Sequence, residues 1–287
     1  MGAFNHRTSR HGTLPLVAAA LASSAIGWAA GPEPDDAVER PVSARPNVVV
    51  ILVDDLGVGD CGFSGGADLP TPFMDRFARE GTVCSNAYVT PSCSPTRAAI
   101  LTGRYPGRFG VEDNRPLDGP TAGMDLREIL LPQLLRDHGY TTALFGKWHL
   151  GRGLHGPQAR GFQHFCGWIG AAGKYIDPPL LQDAETAPEA AVGWVDEILA
   201  DRAGAFVKEN ADRPFFLHLA FMAAHLQQEA LPEDLAEFSH LPPRRRMAGA
   251  IIRRLDRAVG RFLEVLHETG LDDKTLVFLL SDNGGEP

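Results

Sequence analysis

Two pairs of oxygen-bearing residues, Asp54-Asp55 and Asp282-Asn283, carry the carboxylate and amide oxygens that suit a hard cation such as calcium or magnesium. Adjacent carboxylates repel: at about 4 Å and an effective dielectric near 20, each like-charge pair costs on the order of 4 kcal/mol, which a cation would offset. Taken singly, either pair also reads as a turn, because Asp, Asn and Gly favour turns. Lys147 and His149 stand at i and i+2, a spacing that in a strand places both on one face, where a lysine can bind an anion and a histidine can pass a proton. Arg97 follows Cys93 at i+4, so a helical turn would bring the guanidinium near the cysteine side chain. His225 comes after an apolar run. Arg104, His138, His164, His218 and His240 read as structural residues.

These residues need a scaffold, and the apolar pattern supplies one. Residues 47–53 form a largely β-branched run that fits a strand buried on both faces, as in a parallel sheet. Thr71-Pro72 reads as the N-cap and first position of a helix through Arg79, stopped at Gly81. A strand is expected at 82–89, a helix at 126–138 with Pro132 as a kink or break, and a strand at 141–145. A helix over 191–210, a strand over 214–221, a long helix over 247–269 and a strand over 275–280 follow. This alternation predicts an α/β fold, a mostly parallel central sheet with helices on both faces. Asp54-Asp55, Lys147 with His149, His225 and Asp282-Asn283 each fall just past the carboxyl end of an expected strand, where open α/β sheets bind ligands.

The formal charge of −9 over 287 residues argues against a nucleic-acid or anionic-membrane surface. Arg7 and Arg10 precede an uncharged apolar stretch at 14–28, and small residues follow, so residues 1–29 read as a secretory signal cleaved after Ala29. The stretch is short of the about 20 residues of a membrane span, so no span is expected in the mature chain. Residues 30–45 read as a polar leader, and 46–287 as the folded domain. The expected location is secreted or periplasmic. Of the four cysteines, Cys61, Cys84, Cys93 and Cys166, three remain once Cys93 is set aside for chemistry, so at most one disulfide is expected.

Cys93-Ser94-Pro95-Thr96-Arg97, a Cys-x-Pro-x-Arg core, resembles the signature of type I sulfatases. Arg45-Pro46-Asn47 through Asp54-Asp55-Leu56-Gly57, Thr102-Gly103-Arg104-Tyr105-Pro106, Gly146-Lys147-Trp148-His149-Leu150-Gly151, Pro214-Phe215-Phe216 through His225, and Ser281-Asp282-Asn283-Gly284 are similar to further blocks of that family, in the same order. The resemblance implies the alkaline-phosphatase-like fold and hydrolysis of sulfate monoesters. It implies that Cys93 is oxidised to formylglycine by a formylglycine-generating or equivalent maturation enzyme. Calcium, with magnesium less favoured, would be held by Asp54, Asp55, Asp282, Asn283 and the residue at 93. Arg97 would stabilise the modified residue, Lys147 would bind the sulfate, and His149 and His225 would transfer protons. A sulfated small molecule or sulfated glycan is the implied substrate. Phosphoester or phosphonate hydrolysis by the same superfamily, or an inactive truncated relative, is the alternative.

In two places the chain departs from the family pattern. Met222-Ala223-Ala224-His225-Leu226 lacks the prolines that flank this histidine in many relatives. The chain also ends at Pro287, before a further active-site lysine and the smaller C-terminal subdomain. It therefore reads as the N-terminal part of such a protein, with uncovered apolar surface expected near Leu279-Leu280 and low solubility or activity at this length.

Overall fold

The computed structural model describes residues 45–116, 118–119, 122–183, 187–225 and 229–285. The expected signal and all of the expected leader except Arg45 lie outside them. Strands β1 (Asn47–Val53), β2 (Thr141–Lys147), β3 (His164–Trp168), β4 (Pro179–Gln182), β5 (Glu189–Ala190), β6 (Phe215–Ala220) and β7 (Thr275–Ser281) form one sheet in the order β5-β4-β3-β2-β6-β1-β7. The five strands from β3 to β7 in that order are mutually parallel, whereas β4 and β5 are antiparallel additions at the β3 side. This is the mostly parallel α/β sheet that the sequence predicts.

Strand periodicity divides the core in two. Val49, Ile51, Val53, Ala143, Phe145, Leu217 and Leu219 pack on one side of the sheet; Val50, Leu144 and Phe216 pack on the other. Helices α1 (Pro72–Glu80), α4 (Val195–Glu209) and α6 (Pro243–Glu268) cover the first face, and α2 (Cys93–Thr102) and α3 (Leu131–Asp137) the second. A short α5 (Pro232–Glu237) packs on α6. Helix α1 starts where Thr71-Pro72 predicts, but Thr71 makes no capping bond. Asp256 of α6 instead accepts the amides of Phe73 and Met74, at 3.1 and 2.9 Å.

Several expectations are corrected. Residues 82–89 form no strand: every one of them is exposed, so their β-branched residues have no neighbouring strand or core to pack on. The helix expected over 126–138 is only α3, because Pro132 has no amide to donate to a preceding turn and so stands in the first turn, after the extended Leu130. Helix α4 begins at Val195 rather than 191, after Gly193 at φ 119. The uncovered apolar surface on β7 is Leu276 and Phe278, 51% and 48% exposed, while Leu279 packs against the core. All four cysteines are free thiols.

His218, central in β6, is fully buried, and burial followed by the charge of Arg97 pushes its imidazole down to about 3. The unfolded chain binds this proton below about pH 6.5 and the folded chain does not. His218 therefore withdraws stability as pH falls below 6.5, by about 1.4 kcal/mol per pH unit. His218→Leu should gain about 1.4 kcal/mol on the parent between pH 8 and pH 5.5 in urea denaturation. An equal difference at both pH values would show that His218 takes up a proton in the fold.

Candidate active site

Four strand ends and one helix start meet at one edge of the sheet. β1 runs into Asp54 and Asp55, β7 into Asp282 and Asn283, and β2 ends on Lys147 just before Trp148 and His149. β6 leads through 221–224 to His225, and α2 opens on Cys93. Because β1, β2, β6 and β7 are parallel, their carboxyl ends share that edge.

Local backbone geometry sets the side-chain directions. Asp55 and His149 both sit in the left-handed region, at φ 56 and 55. Asp and His tolerate this better than most residues, but such positions still cost of order 1–3 kcal/mol and persist where surrounding contacts hold them. The turn at His149 takes it out of the strand, so Lys147 and His149 do not share a face through i, i+2 spacing as expected. His149 is instead fixed by donating its N–H to Ile169 at 3.1 Å and accepting the Ser94 hydroxyl on its carbonyl at 2.8 Å. Gly146 is required just before Lys147: a Cβ there would lie 1.8 Å from the carbonyl oxygen of Ala220.

One ligand atom from each of Asp54, Asp55, Cys93 and Asp282 lies within 4.8 Å of the others, and all four residues are buried. Lys147 Nζ donates to Asp54 Oδ2 at 2.6 Å. Arg97, on α2, donates from NH2 to Asp282 Oδ2 at 2.8 Å and stands 3.5 Å from Asp54 Oδ1; its NH1 donates to the carbonyl of Lys147 at 3.1 Å. Cys93 Sγ lies 3.4 Å from Asp54 Oδ1. Asn283 Nδ2 donates to Asp55 Oδ1 at 2.5 Å, and its own Oδ1 is buried without a partner. His225 Nε2 lies 3.7 Å from Asp55 Oδ2, with its side chain 22% exposed, on the open side of the cluster.

The repulsion that the sequence assigned to a missing cation is thus partly met from within, by Arg97 and Lys147. Three carboxylates face two cations, which leaves one negative charge in excess. That excess, the oxygen-rich donor set and the orphaned Asn283 Oδ1 fit a hard divalent cation. Burial pushes the Asp282 carboxyl up, against the pull of Arg97. Burial, then Asp54, also pushes the Cys93 thiol up to about 12, so the unmodified side chain is a neutral thiol at pH 7 and a poor nucleophile. Burial, then the charges of Lys147 and Arg97, push the His149 imidazole down to about 3. Its Nδ1 has no partner, nor does Arg97 Nε, so both point to groups a bound anion would supply.

The expected site residues are therefore gathered around Cys93, with His225 at the rim. Sequence reasoning missed Ser94 and Asn114. Asn114 Oδ1 accepts the Ser94 amide at 3.1 Å, and Ser94 Oγ ties the first turn of α2 to His149. Only the adjacency of Ser94 to Cys93 hinted at that role.

Comparison with known proteins bears on this constellation. The family described as Sulfatase matches residues 46–287. The steryl-sulfatase of Mus musculus is 31% identical over 94% of this chain and 55% of its own length. The N-acetylgalactosamine-6-sulfatase of Canis lupus familiaris is 32% identical over 92% of this chain and 53% of its own. The chain thus spans about half the length of the curated relatives it matches. The crystal structure of Ps i-CgsB in complex with k-i-k-neocarrahexaose superposes with a TM-score of 0.79 at 33% identity, over 84% of this chain and 59% of that one.

Proposed function

The chain belongs to the sulfatase family, and on that footing we propose that it hydrolyses sulfate monoesters through formylglycine made from Cys93, with calcium held by Asp54, Asp55, Asp282, Asn283 and residue 93. The observation that carries this is the gathering of the Cys93, Asp54, Asp55 and Asp282 side chains within 4.8 Å, with Arg97 and Lys147 bonded into the same cluster.

The neutral thiol has no means of releasing a sulfate once attached. A formylglycine hydrate supplies two hydroxyls on one carbon, one to attack sulfur and one whose deprotonation expels the sulfate. Held by Asp54, Asp55, Asp282 and Asn283, a calcium ion would supply positive charge to offset that of the sulfate. Asp282, bonded to Arg97, is placed to take the proton of the attacking hydroxyl. Lys147 and Arg97 offset charge that develops on the equatorial oxygens, in a site too buried for water to screen them. Burial and the charges of Lys147 and Arg97 keep His149 neutral at pH 7. A sulfate nearby would favour its protonated form and let Nδ1 or Nε2 accept the second hydroxyl proton. His225, at the rim beside Asp55, would protonate the departing alcohol.

Neighbours that act on or bind steryl, amino-sugar and carrageenan-type compounds, by their names, support a sulfated small molecule or sulfated glycan as substrate. A maturation enzyme for Cys93 and an N-terminal export signal at 1–29 belong to the same proposal, with 30–45 as leader and 46–287 as catalytic domain. No helix among the described residues is long and apolar enough to cross a membrane.

Two measurements test it. Protein co-expressed with a formylglycine-generating enzyme should turn over an aryl sulfate far faster than the matched aryl phosphate; preference for the phosphate would reassign it to phosphoester hydrolysis. Calcium at about one hundred times its Kd should add about 2.7 kcal/mol of stability, and Asp55→Asn should abolish most of that gain. A cation effect that survives Asp55→Asn would place the ion elsewhere.

A further inference from the structure

Behind the segment that carries His225 stands a fully buried carboxylate. Asp196, in the first turn of α4, accepts the amides of Met222 at 2.8 Å and Ala223 at 3.5 Å on Oδ1, and the indole N–H of Trp194 at 3.3 Å on Oδ2. Desolvating a carboxylate is costly, and burial pushes this one up to about 7. The three N–H donors offset part of that cost. Tyr175, also buried, donates its hydroxyl to the carbonyl of His225 at 2.8 Å and stacks on Trp194, with ring centroids 4.5 Å apart. The Ala223 carbonyl in turn accepts the amide of Asp54 at 2.9 Å. Amides and carbonyls of the short run between β6 and His225 are therefore fastened from α4, from Tyr175 and from the metal-ligand candidate Asp54.

We propose that Asp196 and Tyr175 are positioning residues that together fix segment 222–225 and so set where His225 meets the leaving group. This rests on His225 acting as proton donor to the departing alcohol. Neither side chain hydrogen-bonds to Asp54, Asp55, Cys93 or Asp282, although Tyr175 lies near enough to feel the charges of Asp54 and Asp55. Two of the three Asp196 bonds and both contacts of the Tyr175 hydroxyl, to the carbonyls of Met222 and His225, end on that segment, rather than on the helix or sheet that a purely structural pair would brace.

Amide hydrogen exchange in the 287-residue chain separates this from the functional reading, because it needs no turnover. In Asp196→Ala and in Tyr175→Phe, which keeps the ring stacked on Trp194, the amides of 222–225 should exchange about tenfold faster, with β2 and α6 unchanged. Unchanged exchange in 222–225, or acceleration spread across the sheet, overturns the proposal. Matured Tyr175→Phe should also lose about tenfold in kcat on an alkyl sulfate, a poor leaving group, with KM within about twofold and 4-nitrophenyl sulfate nearly unaffected. Equal losses on both esters would overturn the link to His225. If the matured parent turns over neither ester, the proposed function fails, and the exchange result alone decides whether the segment is held as described.

Discussion

Cys93→Ala is expected to lower sulfate-ester turnover at least about a thousandfold while leaving the fold intact. The loss is large because the neighbouring hydroxyls are engaged elsewhere: that of Ser94 donates to the His149 carbonyl and accepts the Arg115 amide, and that of Thr96 donates to the Thr90 carbonyl. The fold survives because the thiol contributes one weak contact to Asp54, at 3.4 Å, worth under about 1 kcal/mol. Cys93→Ser sharpens the test. A serine hydroxyl can attack sulfur once but has no second hydroxyl with which to expel the sulfate, so it should stop after a single turnover. Mass spectrometry of the Cys93 peptide checks the premise, by the replacement of a thiomethyl group with an aldehyde. Unconverted protein should resist alkylation at pH 8, because burial and Asp54 push the thiol up to about 12. Steady turnover by Cys93→Ala would remove residue 93 from the chemistry altogether.

How far the sequence foretold this site varies from one residue to the next. The β-branched run at 47–53 identifies β1 because a strand buried on both faces leaves few alternatives, and the same holds for β6; β7 shows the same apolar run although two of its side chains stay exposed. The short, weakly patterned β4 and β5 were not legible; they exist because the edge of β3 offers them partners. Pro132 marked a break but not which half of its stretch would be helical. At the site, residue types and strand ends placed Asp54, Asp55, Asp282 and Asn283 together. Their charge balance was hidden, because Arg97 reaches Asp282 across 185 positions of sequence. The direction of His149 was hidden too, since a single left-handed residue undoes the alternation on which strand reasoning depends. Asp196 carried no signal in the sequence beyond falling inside the helix expected at 191–210. Only the approach of β6 to α4 gives it the amides of Met222 and Ala223.

Arg97→Met should destabilise the chain by about 3–5 kcal/mol, the usual effect of stripping one partner from a buried ion pair. Arg97 is 1% exposed and is bonded to Asp282, which is fully buried, as is Asp54 nearby. Without the guanidinium these carboxylates retain Lys147 as their nearest cation, and that lysine is bonded to Asp54 rather than to Asp282. Arg104→Met gives the contrast. The Arg104 side chain is 49% exposed beside Glu128, and a pair screened by solvent contributes under about 1 kcal/mol. Calcium distinguishes charge loss from mere loss of packing at position 97. With one cation gone the cluster is more negative, so a divalent ion should bind more tightly and restore more stability to Arg97→Met than it adds to the parent. A packing defect would leave the calcium increment unchanged. Urea denaturation of parent, Arg97→Met and Arg104→Met, each with and without calcium, measures all of these differences. An Arg97→Met loss no larger than that of Arg104→Met would mean that the carboxylates are protonated in the resting fold, and that burial outweighs the pull of Arg97 at Asp282.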